Sequence, residues 1–185
     1  MILYTERLVL RPWKETDAES LFEYAKDPSI GATAGWPPHA DVEVSRAVIR
    51  SQLSSPETFA VCLKEEGKPI GSFNLKFKGD TDLTDADDEV EMGAWIGKEF
   101  WNKGYISEAG REVLRHCFED LNLSKVWAAY YDGNNKSGHV LESYGLTYDH
   151  MEKNVFVPLV NELHDVHVLS ITKETWESIR TRRNS

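Results

Sequence analysis

The sequence is poor in the features that mark membrane, secreted and nucleic-acid-binding proteins. No apolar run approaches the roughly 18 residues that a membrane-spanning helix needs, and the first residues lack the apolar core of a signal peptide. Only two of the 185 residues are cysteines, which is too few for a disulfide framework. The formal net charge is −10, whereas nucleic-acid binders usually present a basic face. We therefore expect a cytoplasmic protein that has neither a membrane nor a nucleic acid as its partner.

The common nucleotide-binding fingerprints are missing as well. The chain contains neither Gly-x-Gly-x-x-Gly nor Gly-x-x-x-x-Gly-Lys-Ser/Thr, and this disfavours a phosphate-loop nucleotide hydrolase. The composition is that of an ordinary globular protein, with 41% hydrophobic and 28% charged residues. Without repeats or a linker, the length predicts one α+β domain over residues 1–185.

Hydrophobic periodicity and turn residues predict the order of the elements. Strands are expected at residues 8–12, 58–64, 69–78, 89–97, 125–131, 155–157 and 166–171. The first helix is expected to begin at a capping box at residues 16–19, and the second after the cap Asp41. Three further helices are expected over residues 107–121, 134–144 and 172–180. Asp27-Pro28 is expected to end the first helix, residues 31–40 to form a loop, and the second helix to bury Val44, Ala47 and Val48.

The most informative segment runs from a strand ending near Gly97 through a short loop into an amphipathic helix. Such a junction directs backbone N–H groups and the positive end of a helix dipole at one point, which suits a phosphate. Gly104 in the loop lets an anion approach where a Cβ could clash. The plain alternative is that Gly104 serves only a turn, and the local sequence leaves both interpretations open.

Much of the acidic charge lies in residues 80–91. One interpretation is a solvated hairpin loop. The other is an acidic rim that attracts a basic peptide or a polyamine. The two cysteines, Cys62 and Cys117, have apolar flanks and are expected in the core.

Four segments together resemble a GNAT-superfamily N-acetyltransferase of the RimJ/RimL type, the ribosomal-protein N-terminal acetyltransferases. They are Thr5-Glu-Arg-Leu-Val-Leu-Arg-Pro12, residues 91–109 with Trp101-Asn-Lys-Gly-Tyr, residues 134–146 with Asn134-Asn-Lys-Ser137, and residues 165–176. The resemblance implies an α+β fold with a mixed, mostly antiparallel sheet of about six to seven strands, splayed at the cofactor site and flanked by helices. It also implies direct transfer of an acetyl group from acetyl-CoA to a primary amine, foremost a protein N-terminal α-amine.

The resemblance places the pyrophosphate of CoA on the N–H groups of residues 102–107 and the pantetheine arm near Asn134. The residues expected to bind the cofactor are Trp95, Ile96, Trp101, Asn102, Lys103, Gly104, Tyr105, Ile106, Ser107 and Asn134. The general family pattern, Gln/Arg-x-x-Gly-x-Gly/Ala, is met only at Gly104, because Trp101 and Ile106 stand at its first and last positions. Trp-Asn-Lys-Gly-Tyr is nevertheless a familiar form in the RimJ/RimL branch. The alternative for Asn134 is helix capping, and both roles can hold at once.

The resemblance also implies two catalytic residues. Many superfamily members donate a proton to the departing thiolate from a tyrosine four residues before the glycine that ends this helix, but Leu141 stands there. Ser137 is therefore the expected donor, with Tyr144 as a second choice. Glu91 is the expected base, and its alternative is a salt-bridged structural carboxylate.

Trp36 and His39 are expected to border the acceptor pocket. The alternatives are a hydrophobic lid for Trp36 and a merely exposed side chain for His39. No metal site is expected at His164 and His167, because strand alternation puts them on opposite faces.

The acceptor stays open at this point between a peptide N-terminus and a small amine such as a polyamine, an amino acid or an antibiotic. A non-catalytic, regulatory acyl-CoA-binding module is the competing class. The late strands offer an edge for pairing in a homodimer.

Overall fold

The computed structural model describes residues 1–183. The strands in this part are β1 Leu3–Tyr4, β2 Leu8–Pro12, β3 Thr58–Leu63, β4 Pro69–Lys76, β5 Glu89–Ile96, β6 Lys125–Tyr131, β7 Thr147–Val157 and β8 Glu162–Thr172. The α-helices are α1 Ala18–Ala25, α2 Pro28–Ala34, α3 Val42–Val48, α4 Tyr105–Arg115, α5 Asn135–Tyr144 and α6 Lys173–Arg183. Short π-helical segments continue α3 over Ile49–Leu53 and α4 over His116–Asp120.

The strands form a mixed sheet in the order β1-β2-β3-β4-β5-β6-β8-β7. The pairs β1–β2, β2–β3, β3–β4 and β6–β8 are antiparallel, and β5–β6 is parallel. The expected α+β fold with a mostly antiparallel sheet flanked by helices is confirmed. The structure has eight strands within residues 1–183 rather than six to seven, because the two-residue β1 is too short to show a periodic pattern.

The parallel pairing of β5 with β6 is short. It covers Glu89–Lys125, Val90–Val126 and Glu91–Trp127. In contrast, all seven residues of β6 pair with β8, as far as Tyr131 with Val166. The first three residues of β6 are thus held on both sides by described strands.

Two of the element predictions are wrong for instructive reasons. Helix α1 ends at Ala25, before Asp27-Pro28, as expected, but Asp27-Pro28 also starts α2, which occupies part of the expected loop. The Asp27 side chain accepts the N–H of Ser29 at 2.8 Å, Pro28 takes the first helical turn, and Gly35 ends the helix in a left-handed conformation. The expected capping box at residues 16–19 is replaced by a 3-10 turn at Glu15–Asp17.

Helix α3 is capped by Asp41 as expected, through a 2.9 Å bond from the N–H of Val44. Its buried face matches the prediction at Val48, which packs against buried core residues, and differs at two other positions. Val44 is 38% exposed and Ala47 is also exposed, whereas Ser45 and Ile49 are buried. The prediction failed at Val44 and Ala47 because the helix buries a polar residue, Ser45, which a purely hydrophobic pattern does not detect.

Within residues 1–183 the chain forms two compact units. Unit 1 comprises Met1–Asn74, Ala94–Glu112 and Val157–Glu162, and unit 2 comprises Leu75–Gly93, Val113–Phe156 and the chain from Leu163 onward. The core cluster of unit 1 consists of Trp13, Ala18, Leu21, Ala25, Ile49, Ala60 and Cys62. The fully buried side chains of unit 2 include Val90, Leu114, Cys117, Phe118, Val126 and Leu169. The single-domain interpretation stays a prediction.

None of the described helices combines the length and the apolar character that crossing a membrane requires.

Candidate active site

The turn expected to hold a phosphate joins β5 to α4 in unit 1. A 3-10 turn at Lys98–Phe100 leads to Trp101, and α4 begins at Tyr105, two residues earlier than predicted. Between them, Asn102 and Gly104 have positive φ angles of 60° and 77°. Left-handed backbone costs glycine little and is tolerated by asparagine, so this sequence suits a sharp reversal directly before a helix.

Gly104 lies at the open N-terminal end of α4. A Cβ added to it would meet one atom within 4 Å, the Nη2 of Arg7 at 3.5 Å, so the positive φ rather than packing requires glycine here. The carbonyl of Gly104 accepts the N–H of Glu108 at 2.9 Å. Helix N-termini present N–H groups and a positive dipole end, and an exposed glycine leaves room for an anion there. The residues present therefore fit a phosphate-binding turn.

Basic side chains gather at this turn although the chain is acidic overall. The Arg7 guanidinium lies 4.3 Å from the ring centroid of Tyr105, and its Nη1 donates to the carbonyl of Lys103 at 3.1 Å. The Nζ of Lys103 lies 5.5 Å from the ring centroid of Phe100. The ion pair of Arg7 with Glu108 at 2.7 Å offsets one of these positive charges, so the attraction for an anion rests mainly on Lys103 and the helix N-terminus. Arg7 was not predicted as a site residue, because it is 96 positions from Lys103 and no local motif signals the contact.

The large side chains beside the turn pack inside unit 1. The Trp101 Nε1 donates to the carbonyl of Ile96 at 3.0 Å, which folds this side chain back toward the end of β5. Ile96 is 9% exposed, and the ring of Trp95 lies 6.3 Å from that of Trp13. Ile106 and Ser107 lie half-buried in the first turn of α4. A direct cofactor contact of each of these residues stays a prediction.

Asn134 and Ser137 lie together at the start of α5, in unit 2. The side chain of Asn134 accepts the N–H of Ser137 at 3.4 Å, so its capping role is confirmed. Ser137 is half-buried in the first turn of α5, and its catalytic role stays a prediction. The ring of Tyr130 lies 2.8 Å from where a Cβ on Gly138 would stand, so a side chain at that position would displace the tyrosine.

Glu91 is held by two partners within unit 2. Its Oε1 accepts from Lys76 Nζ at 2.7 Å, and its Oε2 accepts from Thr81 Oγ1 at 2.5 Å. The side chain is 15% exposed. This geometry favours the salt-bridged structural alternative, because both carboxylate oxygens already accept hydrogen bonds from side chains of unit 2. A catalytic role for Glu91 stays a prediction.

The two residues expected at the acceptor pocket are brought together in unit 1. The rings of Trp36 and His39 lie 5.5 Å apart, and the His39 Nδ1 lies 2.8 Å from the hydroxyl of the buried Ser45. Burial lowers the pKa of His39, so its imidazole is mainly neutral at pH 7. Trp36 also lies 6.0 Å from Trp95 and packs against the core cluster. Trp36 therefore does act as a lid, and the acceptor role stays a prediction.

His164 and His167 each stack on a tyrosine of β6. The ring distances are 4.4 Å for His164 to Tyr131 and 4.9 Å for His167 to Tyr130. The His167 Nε2 also lies 2.8 Å from the Asp132 carboxylate. Within the part of the chain that the structure describes, no group of three or more His, Cys, Asp or Glu residues could hold a metal ion.

Comparison with known proteins identifies the family. The model of the acetyltransferase (GNAT) domain matches residues 7–147. The chain is 28% identical to the N-acetyltransferase p20 of Bacillus licheniformis over 94% of this chain and 97% of that protein. It is 36% identical over 48% of each chain to YdaF of Bacillus subtilis, whose name places it among ribosomal N-acetyltransferases.

A solved structure agrees with this assignment. The GNAT-family acetyltransferase from Bacillus anthracis superposes with a TM-score of 0.81, at 25% identity over 94% of this chain and 99% of that one. The expected resemblance to RimJ/RimL-type enzymes is thus confirmed. The chain belongs to the GNAT acetyltransferase family and is an acetyl-CoA-dependent acyltransferase.

Proposed function

We propose that this protein is a cytoplasmic N-acetyltransferase that transfers an acetyl group from acetyl-CoA directly to the α-amine of a protein N-terminus. The observation that carries the proposal is the open, left-handed turn at residues 102–104 before α4, in a chain of the GNAT family. The likeness of half of the chain to YdaF supports a protein N-terminus as the acceptor.

Two sets of residues are assigned to donor binding in this proposal. Residues 102–107 bind the pyrophosphate of the donor through backbone N–H groups, aided by the positive end of α4. Asn134 contacts the pantetheine arm with its side-chain amide, while its oxygen caps α5. Acetyl-CoA supplies an activated acetyl thioester. A backbone N–H of β5, within Glu91–Ile96, would polarise the thioester carbonyl of the bound donor, because an oriented hydrogen-bond donor stabilises developing negative charge on oxygen.

Ser137 would give a proton to the departing thiolate, and the proton released by the acceptor amine would restore the serine hydroxyl. Its hydroxyl sits in the first turn of α5, whose cap bond at Asn134 fixes the position of the serine backbone. A positioned donor of this kind typically contributes about 10²–10⁴-fold to a rate. Leu141 stands at the position of the family tyrosine, and its side chain has no acidic proton that it could donate.

Proton removal from the acceptor needs little help if the acceptor is an α-amine. The α-amino group has a pKa of about 7.7–8.0 and lysine about 10.4, so the neutral fraction at pH 7 is roughly several hundred times larger for the α-amine. In this proposal Glu91, which is ion-paired to Lys76, accepts the amine proton directly or through a water molecule. His39, with its lowered pKa, lies beside Trp36 at the proposed acceptor pocket and offers a neutral imidazole.

The test combines binding with turnover. Acetyl-CoA binding is measured by calorimetry, and thiol release is followed with N-terminal peptides, lysine peptides and small amines in the same preparation. Turnover on peptides that begin with small residues supports the proposal. Turnover on small amines alone would support the acyltransferase activity but identify a small amine as the acceptor. Binding of acetyl-CoA without any turnover would favour a regulatory module.

Variants assign the roles. Ser137→Ala is expected to lower kcat by about 10²-fold or more with an unchanged Kd for acetyl-CoA, since the proton donor acts only during reaction. Glu91→Gln is expected to cost less than Ser137→Ala. The exposed Ser143 on the same helix gives a matched control, Ser143→Ala. An equal kcat in Ser137→Ala and Ser143→Ala would remove Ser137 from the mechanism.

A further inference from the structure

The segment before β2 is tied to the start of α4 through one carboxylate in unit 1. The Oε1 of Glu108 accepts from the Thr5 hydroxyl at 2.5 Å and from the Arg7 N–H at 2.8 Å. Its Oε2 accepts from the Arg7 Nε at 2.7 Å. Burial raises the pKa of Glu108, but the hydrogen bonds from Thr5 and Arg7 outweigh it and the pKa lies below its usual range. Glu108 is therefore ionised at neutral pH and holds Arg7 in place.

The Arg7 side chain then reaches the turn itself. Its Nη1 donates to the Lys103 carbonyl at 3.1 Å, its Nη2 lies 3.5 Å from the Cβ position of Gly104, and its plane covers the ring of Tyr105 at 4.3 Å. One side chain thus contacts Lys103 in the turn and Tyr105 at the start of α4, and lies beside Gly104, while it is bound to Glu108. A guanidinium has several donors in a planar fork, whereas lysine has one nitrogen and cannot make these contacts together.

The turn needs such support from outside its own sequence. Asn102, Lys103 and Gly104 are all exposed, and two of them have left-handed backbone. Short exposed segments with few local hydrogen bonds sample other conformations unless tertiary contacts hold them.

We propose that Arg7, held by Glu108, is a positioning residue that fixes the turn at residues 102–104, where it meets α4, for the phosphate groups of the acetyl donor. This inference rests on the proposed function, since it concerns how the donor site is built. It predicts that Arg7 matters for donors that carry phosphates and not for donors that lack them.

The experiment compares CoA with pantetheine, which lacks the nucleotide and all phosphates, by calorimetry, and acetyl-CoA with S-acetylpantetheine in turnover. The variants are Arg7→Ala, Arg7→Lys and Glu108→Gln. Arg50→Ala is the control, because Arg50 also forms an exposed ion pair in unit 1, with Glu15 at 2.6 Å. Urea midpoints are recorded for every variant to verify folding.

Arg7→Ala is expected to weaken CoA binding about tenfold or more and to raise KM for acetyl-CoA at nearly constant kcat. Its kcat/KM with S-acetylpantetheine should equal that of the wild type. Arg7→Lys should restore little of the lost CoA affinity. The Arg7→Ala, Glu108→Gln double variant should bind CoA about as weakly as Arg7→Ala, because both substitutions break the same ion pair.

Equal CoA binding in wild type and Arg7→Ala would overturn the inference. So would the same loss with CoA and pantetheine, which would show a general structural effect. A loss that disappears with 3′-dephospho-CoA would show direct contact with the 3′-phosphate instead of positioning of the turn. If the wild type itself binds no CoA, the proposed function fails first, and the two failures are thereby distinguished.

Discussion

At the scale of single residues, the buried polar groups of Trp13 and Ser72 in unit 1 are hydrogen-bonded. The Trp13 Nε1 donates to the Ser72 hydroxyl at 3.1 Å, and that hydroxyl donates to the carbonyl of Phe59 at 3.0 Å. Trp13 and Ser72 are only 7% and 3% exposed. Leaving a buried polar group unpaired costs more free energy than a hydrogen bond contributes, so the Trp13 indole depends on this serine. Through its two hydrogen bonds, Ser72 also links the core cluster to the sheet.

Ser72→Ala is therefore expected to lower the free energy of unfolding by about 1–3 kcal/mol, because it strands the indole N–H of Trp13 away from water. Urea unfolding measures the change. Ser54→Ala, at an exposed serine that donates to Arg50, should change stability by less than about 0.5 kcal/mol. Equal effects of the two variants would show that Trp13 finds another partner.

The site residues were predicted where a local signal exists and missed where it does not. Gly104 could be identified from its place between a strand and a helix, and Asn134 from its place before one. Arg7 and Thr5 could not, because they reach Glu108 across 101 and 103 positions of sequence. Such contacts are set by strand order, which a single sequence does not display.

At the scale of elements, side-chain hydrogen bonds join the end of α4 to its π-helical continuation in unit 2. The carboxylate of Asp120 accepts from both terminal nitrogens of Arg115 at 2.9 Å and lies 2.8 Å from the Nδ1 of the buried His116. The hydrogen bonds from Arg115, and then that from His116, hold the pKa of Asp120 well below its usual range. Since the folded pKa is lowered, the stabilisation is complete at neutral pH and is lost as the pH falls.

Asp120→Asn is accordingly expected to lower the urea midpoint at pH 7, and its difference from wild type should shrink from about pH 5 downward. Solvent screening at this largely exposed carboxylate keeps the effect small. Asp87→Asn is the control, since the Asp87 side chain is 88% exposed beside Lys78. A difference that stays constant with pH would contradict the role assigned to the Asp120 charge.

Element boundaries show which signals a sequence carries. Strand β6 was predicted at its observed bounds, because it is apolar and bounded by turn residues. Strand β7 begins at Thr147 rather than at residue 155, since most of its side chains are exposed and no apolar alternation marks its first half. Helix α2 was missed because Pro28 both disfavours continuation of a helix and suits the first turn of a new one.

At the scale of the whole molecule, the net charge of −10 is unevenly spread. Five exposed aspartates lie between β4 and β5, namely Asp80, Asp82, Asp85, Asp87 and Asp88. Glu89 and Glu91, which follow, are instead bound to Trp127 and to Lys76. The aspartates are thus a solvated acidic surface, and a cationic acceptor is expected to be drawn to the protein by it.

This surface predicts how acceptor use depends on salt. At saturating acetyl-CoA, kcat/KM for a peptide with lysines after its first residue should fall as ionic strength rises from about 0.02 to 0.2 M, because the Debye length shortens over that range. With a matched peptide that has glutamines instead of lysines, kcat/KM should depend much less on ionic strength. The same weak dependence is expected for the lysine peptide with the Asp82→Asn, Asp85→Asn double variant of the protein. If both peptides show the same salt dependence, the acidic segment plays no part in acceptor capture and is only a solvated loop.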